Sequence, residues 1–168
     1  MTRTKRDAAP QAAGADEAAA RQVLWARPGY LVRRLNQIHY ALFCEECGAL
    51  TPVQYGVLTA LSLTPWMDQK TLGMELGLDR TTTADVIRRL QERGLVERRV
   101  NPGDRRSRQA VITPQGRRVM ARLRDRVARV QQRMVEPLSP AEREVFLALL
   151  ARLVEANNEC GRAVMKLL

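Results

Sequence analysis

The sequence predicts a mainly α-helical protein with one small β-hairpin wing, and three observations carry that expectation. Apolar residues recur at helical spacing through most of the chain after Pro28, the period switches to extended between Leu95 and Thr113, and capping residues punctuate the segments between. An apolar share of 45% is ordinary for a folded protein, and 168 residues suffice for one cooperative core.

Residues 1–20 join Arg3, Lys5 and Arg6 to an alanine-rich run without aromatics, a composition that buries too little surface to offset its ordering entropy. They read as a mobile tail. In the next region, residues 21–50, Leu31, Leu35, Ile38 and Leu42 place one apolar stripe along a helix ending near Gly48. Thr51-Pro52-Val53-Gln54 has the form of a capping box, and Val53, Val57, Leu58 and Leu61 give that second helix its buried face, with Pro65 ending it. Asp68 caps a short third helix holding Leu72 and Leu76, stopped by Gly77. Asp79 caps a fourth, with Val86, Ile87 and Leu90 inward and Arg80, Thr81, Thr82, Asp85, Arg88, Arg89 and Glu92 outward, until Gly94 closes it.

Residues 95–100 and 109–113 then read as two strands around the polar turn Asn101-Pro102-Gly103-Asp104, a hairpin with an arginine-rich tip. After Thr113-Pro114 a long helix carries Val119, Leu123, Val127, Val130 and Met134 at near-heptad spacing, a stripe that wants a partner helix. Ser139-Pro140-Ala141-Glu142 forms another capping box and opens a last helix with Phe146, Leu149, Leu150, Leu153 and Val154 on one side.

The formal net charge of +10 attracts polyanions, of which nucleic acid is the commonest soluble example; membrane surfaces and acidic proteins share the attraction. Nearly all the positive charge is arginine, the lysines being Lys5, Lys70 and Lys166. No apolar run approaches the ~18 residues of a membrane span, no signal-peptide core is visible, and three cysteines make no disulfide framework, so a cytoplasmic protein is expected. A single histidine, no glycine-rich phosphate loop and no G-x-S-x-G motif argue against an enzyme, and no cofactor is implied. Cys44-Glu45-Glu46-Cys47 matches a C-x-x-C spacing but lacks both the thioredoxin-like context and a second ligand pair, so no metal site is assigned. A thiol switch at Cys44 and Cys47 stays open as an alternative means of sensing.

Two short helices joined at Gly77 and followed by a basic hairpin make the order of a winged helix-turn-helix, whose second helix reads base edges while nearby arginines and hydroxyls hold phosphates. Arg80, Thr81, Thr82, Arg88 and Arg89 are the candidates on that helix. The aromatics Trp25, Tyr30, Tyr40, Phe43, Tyr55 and Trp66 all precede it. Tyr40, Phe43, Tyr55 and Trp66 are candidates for a ligand pocket wall, with His39 and Arg33 able to bind a carboxylate or phenol; core packing, interface packing or surface solvation suits each of them as well.

At this point the segment from Thr51 to Gly116 resembles the MarR family of transcriptional regulators. The family's wing pattern is matched by Asp104-Arg105-Arg106 through Ile112-Thr113 and Gly116, and residues 90–98 resemble its helix-to-wing passage. The resemblance implies that Asp104 pairs with Arg106 to shape the wing, that Arg106 enters the minor groove, and that Arg105 and Arg108 contact phosphate. It also implies a division into an N-terminal dimerisation region (21–50), a DNA-binding winged helix-turn-helix (51–113) and C-terminal dimerisation helices (114–168). A homodimer on a pseudo-palindromic double-stranded operator follows, acting as a repressor and released by a small aromatic carboxylate. A non-specific architectural DNA-binding protein is the remaining alternative, separated by its lack of sequence preference.

Overall fold

The structure, a computed structural model, describes residues 21–48, 50–161 and 163–165; the tail expected at residues 1–20 lies outside them. The chain divides between His39 and Tyr40 into two units. In the first, residues 21–25 are helical and helix α1 (Pro28–Cys47) begins, running on across the division. Val23, Leu24, Trp25, Leu31, Val32 and Ile38 are exposed there, and the Arg33 guanidinium lies 5.2 Å from the centre of the Tyr30 ring.

The second unit opens with the end of α1, where Phe43 and Cys47 are buried, and Gly48 takes the left-handed conformation (φ 50°) that stops the helix. Helix α2 (Pro52–Leu63) starts as its sequence predicts. The Gln54 amide donates to Thr51 Oγ1 at 3.2 Å, and the Gln54 side chain accepts from the Thr51 amide at 3.1 Å. Helix α3 (Gln69–Leu76) is capped by Asp68, which accepts from the Thr71 amide and hydroxyl, and ends at Gly77 (φ 62°). Helix α4 (Arg80–Glu92) is capped by Asp79 in the same manner. Helix α5 covers Pro114–Val135 and α6 Pro140–Ala156, the latter opened by the Ser139–Glu142 capping box. A 3₁₀ turn, Asn158–Cys160, follows.

The β structure is larger than the sequence indicates. It is a three-stranded antiparallel sheet in the order β1-β3-β2, where β1 is Met67–Asp68, β2 is Val96–Asn101 and β3 is Asp104–Ile112. Met67 pairs with Ala110 and Asp68 with Gln109, so the residues just before α3 cover the outer edge of β3. Strand β3 begins at Asp104 rather than at Gln109 because cross-strand pairing with β2 carries extended backbone into a run of polar residues where no apolar alternation signals it. The turn tightens to Pro102-Gly103, with the Gly103 amide donating to Asn101 Oδ1.

The core of this unit gathers Val57, Leu58 and Leu61 of α2, Leu72 of α3, Ile87 and Leu90 of α4, Leu95, Val96, Ala110 and Ile112 around the wing, and Leu123 and Val130 of α5. Burial of this kind stabilises by about 25 cal/mol per Å² of apolar surface removed from water. Helix α6 has no buried residue among those described; Leu149 is 53% and Leu153 59% exposed.

Candidate nucleic-acid interface

Helix α4 is set by its two faces and its cap. Val86, Ile87 and Leu90 face the core, and Thr83, fully buried, satisfies its hydroxyl by donating to the Asp79 carbonyl at 2.8 Å. Close packing behind the helix requires Gly73, because a Cβ there would stand 2.8 Å from the Leu78 carbonyl oxygen and 3.0 Å from Thr83 Oγ1. That contact lets α3 lie directly against the start of α4.

The outward residues divide by what already engages them. Arg80 and Thr81 are exposed at the first turn. The Thr82 hydroxyl donates to Asp79 Oδ2 at 2.8 Å, so it also serves the cap. Arg88 bridges Asp85 and Glu92, each at 2.6 Å, and Arg89 binds Asp85 at 2.8 Å. The Arg88 guanidinium's hydrogen bond, joined by the charges of Arg89 and Arg88, holds the Asp85 carboxyl below its ordinary range. Exposed pairs of this type contribute little to stability, so a phosphate displaces them at small cost, but the face they occupy is electrically near balance.

The wing is different. Asp104 Oδ1 accepts from the Arg106 backbone amide at 2.9 Å, which shapes the tip. The pairing expected between these residues is thus made through the main chain, and the Arg106 side chain is left exposed. Among the described residues, Arg80, Arg98, Arg105, Arg106 and Arg108 enter no ion pair. Strand alternation puts Asp104, Arg106 and Arg108 on one face and Arg105 on the other. The first face borders an open groove of about 1120 Å³ between the wing, α3 and the start of α4, which Lys70, Arg80, Arg98, Arg106 and Arg108 line. Lys70 and Arg98 are additions to the residues singled out from sequence; Lys70 was signalled by its place in the first turn of α3, where main-chain amides also face anions.

Two contacts fix the wing against the helices. The Thr113 hydroxyl donates to the Gly94 carbonyl at 2.7 Å and accepts from the Gly116 amide, tying the start of α5 to the end of α4. Trp66, at φ 60°, lies under the Arg99 guanidinium at 3.6 Å from the ring centre, and Arg99 Nε donates to Gln109 across the strands.

Residues 50–107 match the MarR family. The structure is similar to that of the PcaV transcriptional regulator from Streptomyces coelicolor in complex with its natural ligand, with a TM-score of 0.75 and 42% identity over 79% of this chain and 95% of that one. It is also similar to Bordetella bronchiseptica BpsR, whose DNA binding is regulated by 6-hydroxynicotinic acid, with a TM-score of 0.72 and 30% identity over 76% and 93% of the two chains. In sequence it is 30% identical over 125 residues to the transcriptional regulator HosA of Escherichia coli O111:H-, covering 74% of this chain and 93% of that protein. The chain belongs to the MarR family.

As a MarR-family transcriptional regulator it binds DNA and is not an enzyme. The fold expected from the sequence, mainly helical with a winged helix-turn-helix, is the fold found. Of the candidate ligand residues in this regulator, Phe43 and Tyr55 meet edge to face at 6.0 Å, while Tyr40 is exposed. Trp66 leads directly into β1, and its ring stacks with the Arg99 guanidinium at the sheet. His39 and Arg33 lie in the first unit. Cys44 is exposed and Cys47 is 3% exposed, where burial, helped by the neighbouring Glu46, pushes the thiol up and keeps it protonated near neutral pH. Glu45 and Glu46 between them are bound by Arg129 and Arg133 of α5, an attachment absent from the sequence reading. Among the described residues, no group of three His, Cys, Asp or Glu could hold a metal, and no helix is long and apolar enough to cross a membrane.

Proposed function

We propose that this regulator is a repressor that binds a pseudo-palindromic operator as a homodimer and is released by a small aromatic carboxylate. The observation that carries the operator-binding part is the set of guanidinium groups, Arg80, Arg106 and Arg108, that form no ion pair among the described residues and border one groove with the exposed Thr81 of α4. In this reading Arg80, Thr81 and Thr82 face base edges, Arg106 enters the minor groove, and Arg105, Arg108, Arg88 and Arg89 hold phosphates. Asp104 keeps the wing tip in shape. Arg88 and Arg89 contribute after exchanging carboxylate for phosphate.

The homodimer is supported by the uncovered apolar side chains of α6 and, separately, by those between Val23 and Ile38. In it, residues 21–50 and 114–168 form the dimerisation regions and residues 51–113 the reading module. The effector class is supported by BpsR, whose DNA binding is regulated by 6-hydroxynicotinic acid; the candidate ligand residues named from the sequence are Arg33, His39, Tyr40, Phe43, Tyr55 and Trp66. A ligand favouring a dimer with misplaced recognition helices lowers operator affinity by its differential affinity for that state, about 1–3 kcal/mol.

Fluorescence anisotropy tests the reading, using a duplex that the protein selects from a random pool, a scrambled duplex at equal salt, and a panel of hydroxylated aromatic acids. Preference for the selected duplex by roughly 10³-fold or more, lost on adding one acid, is the expected result. Equal salt-dominated binding to both duplexes would establish the architectural alternative instead.

A further inference from the structure

The groove bordered by Arg80, Arg106 and Arg108 is not bounded by the reading module alone. Ala163, Val164 and Met165, from the far end of the chain, also line it. Their position is held by specific contacts. Asn158, in the 3₁₀ turn after α6, donates from Nδ2 to the Met165 carbonyl at 2.8 Å and accepts the Met165 amide on Oδ1 at 2.9 Å. A Cβ added to Gly77 would lie 3.6 Å from the Met165 Cβ, which places this residue in van der Waals reach of the turn joining α3 to α4.

We propose that residues 163–165 form an intramolecular strap that occupies the path of the DNA backbone between wing and recognition helix and must be displaced before the operator seats. This rests on the assignment of the groove to DNA. A phosphate entering there would meet Lys70, Arg80, Arg98, Arg106 and Arg108, whereas Ala163, Val164 and Met165 have no charged side chain to offer it and only the main-chain amides as donors. The three carboxylates on the same groove are already engaged: Asp68 and Asp79 as helix caps, Asp104 on the Arg106 amide. Five cations against these three carboxylates leave the groove's described lining net positive toward whatever fills it, and an uncharged strap competes weakly there.

The attachment point gives the strap a regulatory consequence. Asn158 lies two residues beyond the end of α6, the helix with no buried residues, so a displacement of α6 is passed on to the residue that pins Met165. A strap closed for two thirds to nine tenths of the time lowers apparent operator affinity by about 3- to 10-fold.

The test compares three full-length or near-full-length proteins on the selected duplex by anisotropy: the wild type, Asn158→Ala, and a chain ending at Gly161. The substitution breaks the pin without altering charge. The truncation also removes Arg162 and Lys166, a loss that on counterion grounds weakens DNA binding, so an affinity gain would run against the electrostatic expectation. Binding tighter by about 3- to 10-fold in both variants, with the salt dependence of Asn158→Ala unchanged because the seated complex makes the same phosphate contacts, is the expected result. Thermal melting of each variant establishes that the fold is retained. Unchanged or weaker binding by a folded Asn158→Ala overturns the strap, whatever the truncation does. If the wild type selects no duplex at all, the DNA assignment of the groove fails and the strap fails with it.

Discussion

Gly116 stands where the first turn of α5 crosses the base of the wing, and a Cβ there would collide with the Leu95 carbonyl oxygen and come within 2.7 Å of Ile112 Cγ1. Neither neighbour is the free end of a flexible chain. Gly116→Ala should therefore lower stability by about 1–3 kcal/mol, read as a reduced melting temperature, and an unchanged melting temperature would mean that α5 shifts without cost. On the wing itself, Arg106 has no ion-pair partner among the described residues and shares a strand face with Arg108, while Arg105 points the other way. Arg106→Ala should cost about 1–3 kcal/mol of operator affinity and leave oligomeric state and melting unchanged; Arg105→Ala, removing one phosphate contact, should mainly flatten the salt dependence. The wing itself was legible in the sequence, since Asp104, Arg106, Thr113 and Gly116 form a recognisable pattern. The main-chain route from Asp104 to Arg106 was not, because a pattern of residue types does not tell an amide from a guanidinium as the donor. Cys47 shows the same limit: its spacing from Cys44 suggested a pair, but burial sets the two apart. A thiol reagent should label Cys44 and Cys160 in the native protein at neutral pH, with Cys47 reacting only on unfolding; prompt labelling of all three would contradict the packing.

Helices were read closely from sequence because their boundaries are chemical: Thr51, Asp68, Asp79, Thr113 and Ser139 each cap the helix that follows. The strands were read less well. Strand β1 is two residues long, too short for any period, and the first half of β3 is polar on both faces, so only its pairing with β2 reveals it. The cap of α3 also carries a pH signature. Burial alone would push the Asp68 carboxyl up, but hydrogen bonds from the Thr71 hydroxyl and from the amides of Thr71 and Lys70 outweigh it and hold the group below its ordinary value. A carboxyl lowered on folding stabilises fully above its unfolded value, and that contribution is lost as pH falls through the folded value. Asp68→Asn keeps an acceptor at the cap and removes the titration. In urea titrations across the acidic range, the wild type should lose more stability below the usual carboxylate pKa than Asp68→Asn does, and parallel losses would show that the cap is not the titrating element.

At the scale of the whole molecule, the surface left uncovered is as informative as the groove. Helix α6 exposes Val145, Leu147, Leu149, Leu153 and Val154 on several sides at once, more than a helix of a stable monomer turns to water as a contiguous surface. The stripe beginning at Phe146 was visible in the sequence, but the partner of a stripe is not encoded beside it, and periodicity alone suited a monomer core as well as an interface. The exposure of α6 removes that ambiguity only by leaving its side chains without cover, and a second copy is the cover proposed. Mass action then makes stability depend on protein concentration, since association stabilises only the folded partners. The wild type should melt at higher temperature as concentration rises and sediment as a dimer. Leu149→Glu with Leu153→Glu, both more than half exposed and so free to accept charge in a monomer, should give a folded monomer whose melting no longer depends on concentration. Its operator binding should fall to that of a single half-site, because two reading modules held about one helical turn apart engage together only when joined. A double variant that stays dimeric would place the interface elsewhere, while a monomer that retained full operator affinity would separate dimerisation from DNA recognition.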